Sequence, residues 1–189
     1  YLFPSRYCQS DRLRKQALDL FGGFTGPYSL ASGISDWIFD HLAYEIGASN
    51  EQTSAVDTLE QRAGVCRDFA HLGIALCRSM SLPARYVSGY LGDIGVPDAG
   101  FDDFCAWFEV FLDGEWHTVD ARYNVPRIGR IVMVRGTDAT DVAMITSFGN
   151  YLLSGFRVWS TEVPQTIAES DLPALLQTIP APRPKDSLF

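Results

Sequence analysis

The sequence has no long apolar run and no excess of basic charge. Its apolar runs are all shorter than the ~18 residues that a membrane-spanning helix requires. Acidic residues outnumber basic ones by 23 to 15, which gives a net charge of −8. Because nucleic acids and anionic membranes attract basic surfaces, we expect neither a nucleic acid nor a membrane as a partner.

Cysteine is scarce, and its spacing argues against several classes of site. The four cysteines contain no Cys-x-x-Cys pair, which argues against a zinc ribbon and a thioredoxin-like redox site. They are too scattered for a disulfide framework, and no basic-then-apolar leader is present at the start, so we expect a cytoplasmic protein. No Asp-x-Asp-x-Asp-Gly calcium loop occurs either, and no cofactor is expected.

What the sequence does contain is the pattern of a globular domain with helices first and strands after. It is 47% apolar and 20% charged, and 189 residues can bury a core without disulfides. Apolar periodicity and capping residues predict helices over 10–21, 28–45, a short segment capped by Thr53 or Ser54, Cys66 to about Met80, and 165–178. Strands are predicted over 84–91, 103–112, 115–121, 130–135, 142–147 and 151–161, with a loop over 92–102 and a tail over 180–189. This order indicates an α+β fold.

The most informative segment is Gly64-Val65-Cys66-Arg67-Asp68-Phe69-Ala70-His71-Leu72. A Gly-Val pair leads straight into an apolar-periodic stretch, so Cys66 is predicted within one residue of a helix N-terminus. The helix dipole and the unpaired backbone N–H groups there stabilise a thiolate, which makes the cysteine a candidate nucleophile. Cys77, in the interior of the same helix, is interpreted as a buried apolar residue.

A second block runs from Phe104 to Asp120 and contains a strong hairpin signal at Asp113-Gly114. The register that this turn sets pairs Trp107 with Asp120. Because side chains alternate along a strand, Cys105 shares one face with both of those residues. Cys105 then lies diagonal to Asp120, at about 7–8 Å between the backbones.

Together with Leu82-Pro83-Ala84-Arg85-Tyr86-Val87-Ser88-Gly89-Tyr90, these blocks resemble the transglutaminase-like superfamily of thiol enzymes over roughly residues 36–150. The resemblance implies a papain-like, transglutaminase-core fold, in which a nucleophile helix packs on an antiparallel sheet. It implies Cys66 as the nucleophile and Asp120 as the residue that orients a general base. The family has a histidine at the base position, whereas this chain has Cys105. Trp107 is interpreted either as a core residue of the sheet or as a wall of the substrate pocket.

The resemblance also suggests how the chain is organised. Residues 28–163 are expected to form the transglutaminase-like core. Residues 1–27 are expected to form an N-terminal segment with a short helix, and its first residues resemble the junction that follows an upstream domain in this family. Residues 164–189 are expected to form a C-terminal helix and a Pro-rich tail.

None of the three histidines fits the role of the missing base. In the predicted hairpin His117 pairs with Val110, on the face opposite Asp120. His71 follows Cys66 by five residues, which places it roughly 140° around the helix. His41 lies in an earlier helix with no motif around it.

Three functions therefore stay open at this stage. In the first, the chain is a thiol enzyme scaffold that acts on a peptide, protein or other amide through an acyl-thioester on Cys66, and it is impaired because Cys105 replaces the base. Loss of a general base costs about 10²–10⁴-fold in rate. In the second, the fold is a non-catalytic peptide-binding module. In the third, Cys66 and Cys105 form a redox pair or, with Asp120, hold a zinc ion.

Overall fold

The computed structural model describes residues 1–96 and 103–150, together with positions 152, 154, 155 and 158. Helices come first and the strands of the main sheet come after them, which confirms the α+β prediction. The elements are α1 (Ser10–Phe21), α2 (Pro27–His41), β1 (Ala43–Tyr44), α3 (Ala55–Gln61), β2 (Ala63–Gly64), α4 (Cys66–Ser79), β3 (Ala84–Leu91), β4 (Asp103–Leu112), β5 (Glu115–Val119), β6 (Arg130–Gly136) and a 3-10 turn (Ala139–Val142).

Helix α2 ends four residues earlier than predicted. Leu42 takes extended backbone angles, with φ −112° and ψ 133°, and the chain then forms β1. This two-residue strand pairs in parallel with β2, and the pairing matches Ala43 with Ala63. In the sequence, β2 lies immediately before the N-terminus of α4. The early end of α2 allows β1 to pair with β2, and this pairing helps to position α4.

The main sheet has four antiparallel strands in the order β5-β4-β3-β6. The Asp113-Gly114 turn forms as predicted, with positive φ at both residues, and it pairs Phe111 with Trp116. The ladder stops at the pair of Phe108 with Val119, so the predicted pairing of Trp107 with Asp120 does not form. Asp120 instead begins a turn in which its backbone carbonyl accepts a hydrogen bond from the Asn124 N–H at 2.8 Å.

The prediction of a strand over 142–147 is wrong. The 3-10 turn ends at Val142, the first residue of the predicted strand, and Asp138 caps this turn by accepting a hydrogen bond from the Thr140 N–H at 2.9 Å. Residues 143–147 form no strand. The predicted helix over 165–178 and the tail lie outside the described residues. The same holds for 97–102 of the predicted loop and, apart from isolated positions, for the predicted strand over 151–161.

Two hydrophobic clusters divide the side chains of β4 between the two faces of the sheet. The larger cluster lies around α4 and includes Phe108 and Val110, together with buried residues of α1, α2 and α3. The smaller cluster contains Cys105 and Trp107 and receives the half-buried Cys66 against it. The predicted alternation along β4 is therefore correct, and it places residue 105 on the face of the smaller cluster. Within the described part of the chain, every helix is too short or too polar to cross a lipid bilayer.

Candidate active site

Cys66 is the first residue of α4, as predicted, and Val65 is its N-cap. The loop before it is held by Asp68, whose carboxylate is fully buried. Asp68 Oδ2 accepts hydrogen bonds from the Val65 N–H at 2.8 Å and from the Ser49 hydroxyl at 2.5 Å. A carboxylate at this position also suits the positive end of the helix dipole. The cap therefore fixes the backbone on which the Cys66 side chain is mounted.

Gly64 is required by the same cap. A Cβ atom added at Gly64 would lie 2.7 Å from Asp68 Cβ and 2.8 Å from Asp68 Oδ2. Real Cβ atoms do not approach a neighbour so closely. The Gly-Val pair that precedes the cysteine thus has a structural cause, since any larger residue would displace the capping carboxylate.

The thiols of Cys66 and Cys105 lie within hydrogen-bonding reach of each other. Cys105 is 1% exposed and pairs with Gly89 of β3, while Cys66 is half-buried. The hydrogen bond to Cys66 and then burial raise the pKa of Cys105 well above the ordinary value of a thiol. A thiol that keeps its proton cannot accept one from Cys66. Residue 105 therefore faces Cys66 as a protonated thiol.

Arg122 lies beside this thiol pair, and the sequence analysis did not identify it. Its Nη1 is 3.7 Å from Cys105 Sγ. The guanidinium also lies 3.9 Å from the ring centroid of Tyr44 and 4.6 Å from that of Tyr123. Its place two residues after Asp120, in the turn that follows the hairpin, is the one signal in the sequence that could have indicated it.

Asp120 lies near Cys105, but its carboxylate is already engaged. Oδ1 accepts a hydrogen bond from the Arg122 backbone N–H at 2.9 Å, and Oδ2 accepts one from Arg130 Nη2 at 2.5 Å. Both side chains of the ion pair are buried. Both carboxylate oxygens of Asp120 therefore have a hydrogen-bond partner.

Trp107 lies two residues further along β4 and is buried. The guanidinium of Arg130 lies 4.9 Å from the centroid of its indole ring. A cavity of about 740 Å³ meets the site at Trp107 and Asp120. The structure thus places the residue that was interpreted as a pocket wall in the lining of a cavity.

All three histidines are engaged elsewhere. His71 is fully buried, and its Nε2 accepts a hydrogen bond from the Ala139 N–H at 3.2 Å. His117 pairs with Val110, as the predicted register requires, and its Nε2 lies 3.4 Å from the Tyr28 hydroxyl. His41 stacks on a tryptophan of α2.

The contacts of Asp120 argue against the zinc alternative. Among the described residues, no group of three or more His, Cys, Asp and Glu side chains is arranged to hold a metal ion. The predicted set of Cys66, Cys105 and Asp120 fails because the carboxylate of Asp120 is directed to Arg130 and to the Arg122 N–H.

The sequence from α1 to the end of the hairpin matches a known family. The model of the transglutaminase-like superfamily matches residues 14–121, a span that includes Cys66, Cys105 and Asp120. The chain belongs to this family. The fold and the family implied by the sequence motifs are therefore confirmed.

Individual relatives agree with this assignment. The chain is 45% identical to a solved protein from Cytophaga hutchinsonii described as a "putative cysteine protease", with a TM-score of 0.72 over 85% of this chain and 58% of that one. It is 38% identical to an uncharacterized protein of Mycobacterium leprae over 121 residues, which are 62% of this chain and 43% of that protein. It is 30% identical to the human kyphoscoliosis peptidase over 97 residues, which are 47% of this chain and 14% of that protein. The chain thus spans less than two thirds of the length of each of these relatives.

Proposed function

We propose that this chain is a transglutaminase-like thiol enzyme scaffold for peptide or other amide bonds, and that its catalytic power is low because Cys105 occupies the position of the general base. The proposal depends on one observation. The thiol of Cys66, at the start of α4, lies within hydrogen-bonding reach of the thiol of Cys105 on β4. The position of the first thiol suits a nucleophile, and the raised pKa of the second keeps it protonated, so it is not available to take the proton of the first.

The proposed reaction is acyl transfer through Cys66. The sulfur attacks the carbonyl carbon of an amide, and backbone N–H groups at the start of α4 stabilise the oxyanion that forms. Collapse of this intermediate breaks the C–N bond and leaves a thioester, and the amine departs with a proton. Water then releases the acyl group as an acid, or an amine takes it up as a new amide. An imidazole at 105 would carry the proton from the thiol to the departing amine, and Cys105 cannot.

Two of the relatives favour hydrolysis over cross-linking. The Cytophaga hutchinsonii protein is described as a "putative cysteine protease" and the human protein as a peptidase. Water is therefore the proposed acceptor of the acyl group, with a peptide or protein as the proposed substrate.

The Cys105→His variant tests the proposal. It should raise the hydrolysis of a p-nitrophenyl ester or anilide probe by about 10²-fold or more, because a positioned base contributes 10²–10⁴-fold. Cys105→Ser is the matched control, since it removes the same thiol without adding a base, and it should give no gain. The double variant Cys66→Ala with Cys105→His should be inactive.

A folded Cys105→His variant that turns over no probe from a broad panel would contradict the enzyme scaffold. The non-catalytic peptide-binding module would then be the better account of the fold. Activity in the double variant would exclude Cys66 as the nucleophile.

A further inference from the structure

Cys105 gives the thiol of Cys66 a second thiol as its neighbour. Cys66 packs against the small hydrophobic cluster that contains Cys105 and Trp107. The two thiols share a hydrogen bond, and all four cysteines of the chain are free thiols in the structure. Two thiols in contact can be joined by a disulfide bond, which a histidine at residue 105 could not form.

The two thiols differ in their access to solvent. Cys66 is half-exposed, whereas Cys105 is 1% exposed and packs with Val87, Leu91 and Trp107. Cys66 also lies at a helix N-terminus, which favours a thiolate. Cysteines that sense oxidants share this character, because they are accessible, have thiolate character and lie next to a second cysteine. A small oxidant in solvent therefore meets Cys66 before it meets Cys105.

Oxidation of Cys66 changes the surroundings of Cys105. In the reduced protein the hydrogen bond to Cys66, and then burial, raises the pKa of Cys105 well above that of an ordinary thiol. The charge of Arg122, whose Nη1 lies 3.7 Å from Cys105 Sγ, acts on the pKa in the opposite direction. A neutral sulfenic acid at Cys66 removes the negative charge of its thiolate, so the guanidinium then has more influence on Cys105. A cysteine thiolate is the form that attacks another sulfur.

We propose that Cys66 and Cys105 form a peroxide-sensitive pair, in which a hydroperoxide oxidises Cys66 and Cys105 then closes a disulfide with it. In the first step the Cys66 sulfur attacks a peroxide oxygen. An S–O bond forms, the O–O bond breaks, Cys66 becomes a sulfenic acid, and the other peroxide oxygen leaves as water or an alcohol. In the second step the Cys105 sulfur attacks the Cys66 sulfur. The S–S bond forms, the S–O bond breaks, and the hydroxyl leaves as water with the Cys105 proton. Two thiols and one hydrogen peroxide thus give one disulfide and two waters.

The disulfide blocks the proposed nucleophile reversibly. In a disulfide the Cys66 sulfur cannot attack an amide carbonyl, and a thiol reductant restores both thiols. This regulatory consequence rests on the proposed function, whereas disulfide formation rests on the two thiols alone and is measurable without turnover. The bond also requires the two sulfurs to close to about 2 Å, and mapping of the linked peptides tests that closure directly.

Peroxide titration of the fully reduced whole chain tests the pair. A stoichiometric amount of hydrogen peroxide should lower the number of free thiols from four to two. Mass spectrometry of the unreduced peptides should find Cys66 linked to Cys105 within one chain, and dithiothreitol should return all four thiols. An unchanged thiol count, a Cys66 sulfinic acid without a disulfide, or a disulfide that contains Cys8 or Cys77 would overturn the proposal.

Two variants assign the roles of the two thiols. In Cys105→Ser the oxidation should stop at a sulfenic acid on Cys66, which dimedone traps, and no disulfide should form. Cys77→Ala is the matched control, because it removes another buried thiol from the helix of Cys66, and it should still form the Cys66–Cys105 disulfide. If Cys105→Ser fails to fold, the thiol count and the peptide map of the wild type still decide. Dimedone labelling of the wild type equal to that of Cys105→Ser would count against Cys105 as the second thiol.

The two proposals fail separately. A disulfide in the peroxide-treated wild type together with an inactive Cys105→His variant would support the peroxide-sensitive pair and refute the enzyme scaffold. Activity of that variant without a disulfide in the wild type would do the reverse.

Discussion

A histidine side chain is longer than a cysteine side chain, and its imidazole takes up a proton more readily near neutral pH. Both properties would make a histidine at residue 105 a better base than a cysteine. The pKa of Cys105 is raised by the hydrogen bond to Cys66 and by burial, so the thiol keeps its proton. Asp120 in turn is paired with Arg130. A histidine placed at 105 would share that carboxylate with the guanidinium, because a carboxylate can accept several hydrogen bonds at once.

His71 shows how burial acts on a group that takes no part in the site. Desolvation lowers its pKa from 6.5 to about 3, and its Nε2 accepts a hydrogen bond from a backbone N–H, so the ring is neutral in the folded protein. The unfolded chain binds a proton at this residue below about pH 6.5, which is the ordinary histidine pKa. Between pH 6.5 and pH 3 the unfolded state therefore holds more protons, and stability falls as the pH falls.

We predict a loss of about 2 kcal/mol in the free energy of unfolding between pH 7 and pH 5 from this residue alone. Urea unfolding at the two pH values measures it. His71→Gln keeps an acceptor for the Ala139 N–H and does not titrate, so its stability should change much less over the same interval. An equal pH dependence in the two proteins would show that His71 is not the cause.

At the scale of elements, the start of α4 depends on the fit between Gly64 and the buried carboxylate of Asp68. Gly64→Ala should destabilise the protein by about 1–3 kcal/mol, the usual cost of forcing extra atoms into a packed site. Gly23→Ala is the matched control, because its added Cβ meets nothing within 4 Å. Urea unfolding of both variants checks the prediction. A similar small effect at the two glycines would mean that Asp68 does not hold this helix start.

Local signals explain which elements the sequence predicts well. The Gly64-Val65 break and the Asp113-Gly114 turn act within a few residues, so the first residue of α4 and the hairpin register follow directly from the sequence. The end of α2 instead depends on pairing between β1 and β2, which are distant in the chain. No sequence pattern around residue 42 predicts that the chain will pair with β2.

In the candidate site too, features set by local sequence are predicted, and features set by distant segments are not. The face shared by Cys105 and Trp107 follows from alternation along one strand, and the structure confirms it. The engagement of Asp120 by Arg130 depends on where β6 begins relative to the turn after β5, and nothing in either segment alone indicates it. The guanidinium of Arg122 beside Cys105 also depends on how that turn folds back on the thiols.

At the scale of the whole molecule, the structure separates one cysteine from the other three. Cys8, Cys77 and Cys105 are all buried, and burial raises the pKa of Cys8 and of Cys77 to about 12. Cys66 alone among the four is half-exposed, and it lies at a helix N-terminus that stabilises a thiolate. Within the described residues, the fold thus leaves one cysteine partly open to solvent, at the first residue of α4.

Limited alkylation of the unmodified protein tests this central claim most directly. The protein is treated with substoichiometric iodoacetamide at mildly acidic pH, and the labelled peptides are mapped by mass spectrometry. The account predicts that Cys66 carries the label first and reacts faster than N-acetylcysteine under the same conditions, because the helix N-terminus favours its thiolate. Prior labelling of Cys8 or Cys77, or a Cys66 that becomes reactive only after reduction of a disulfide with Cys105, would contradict it.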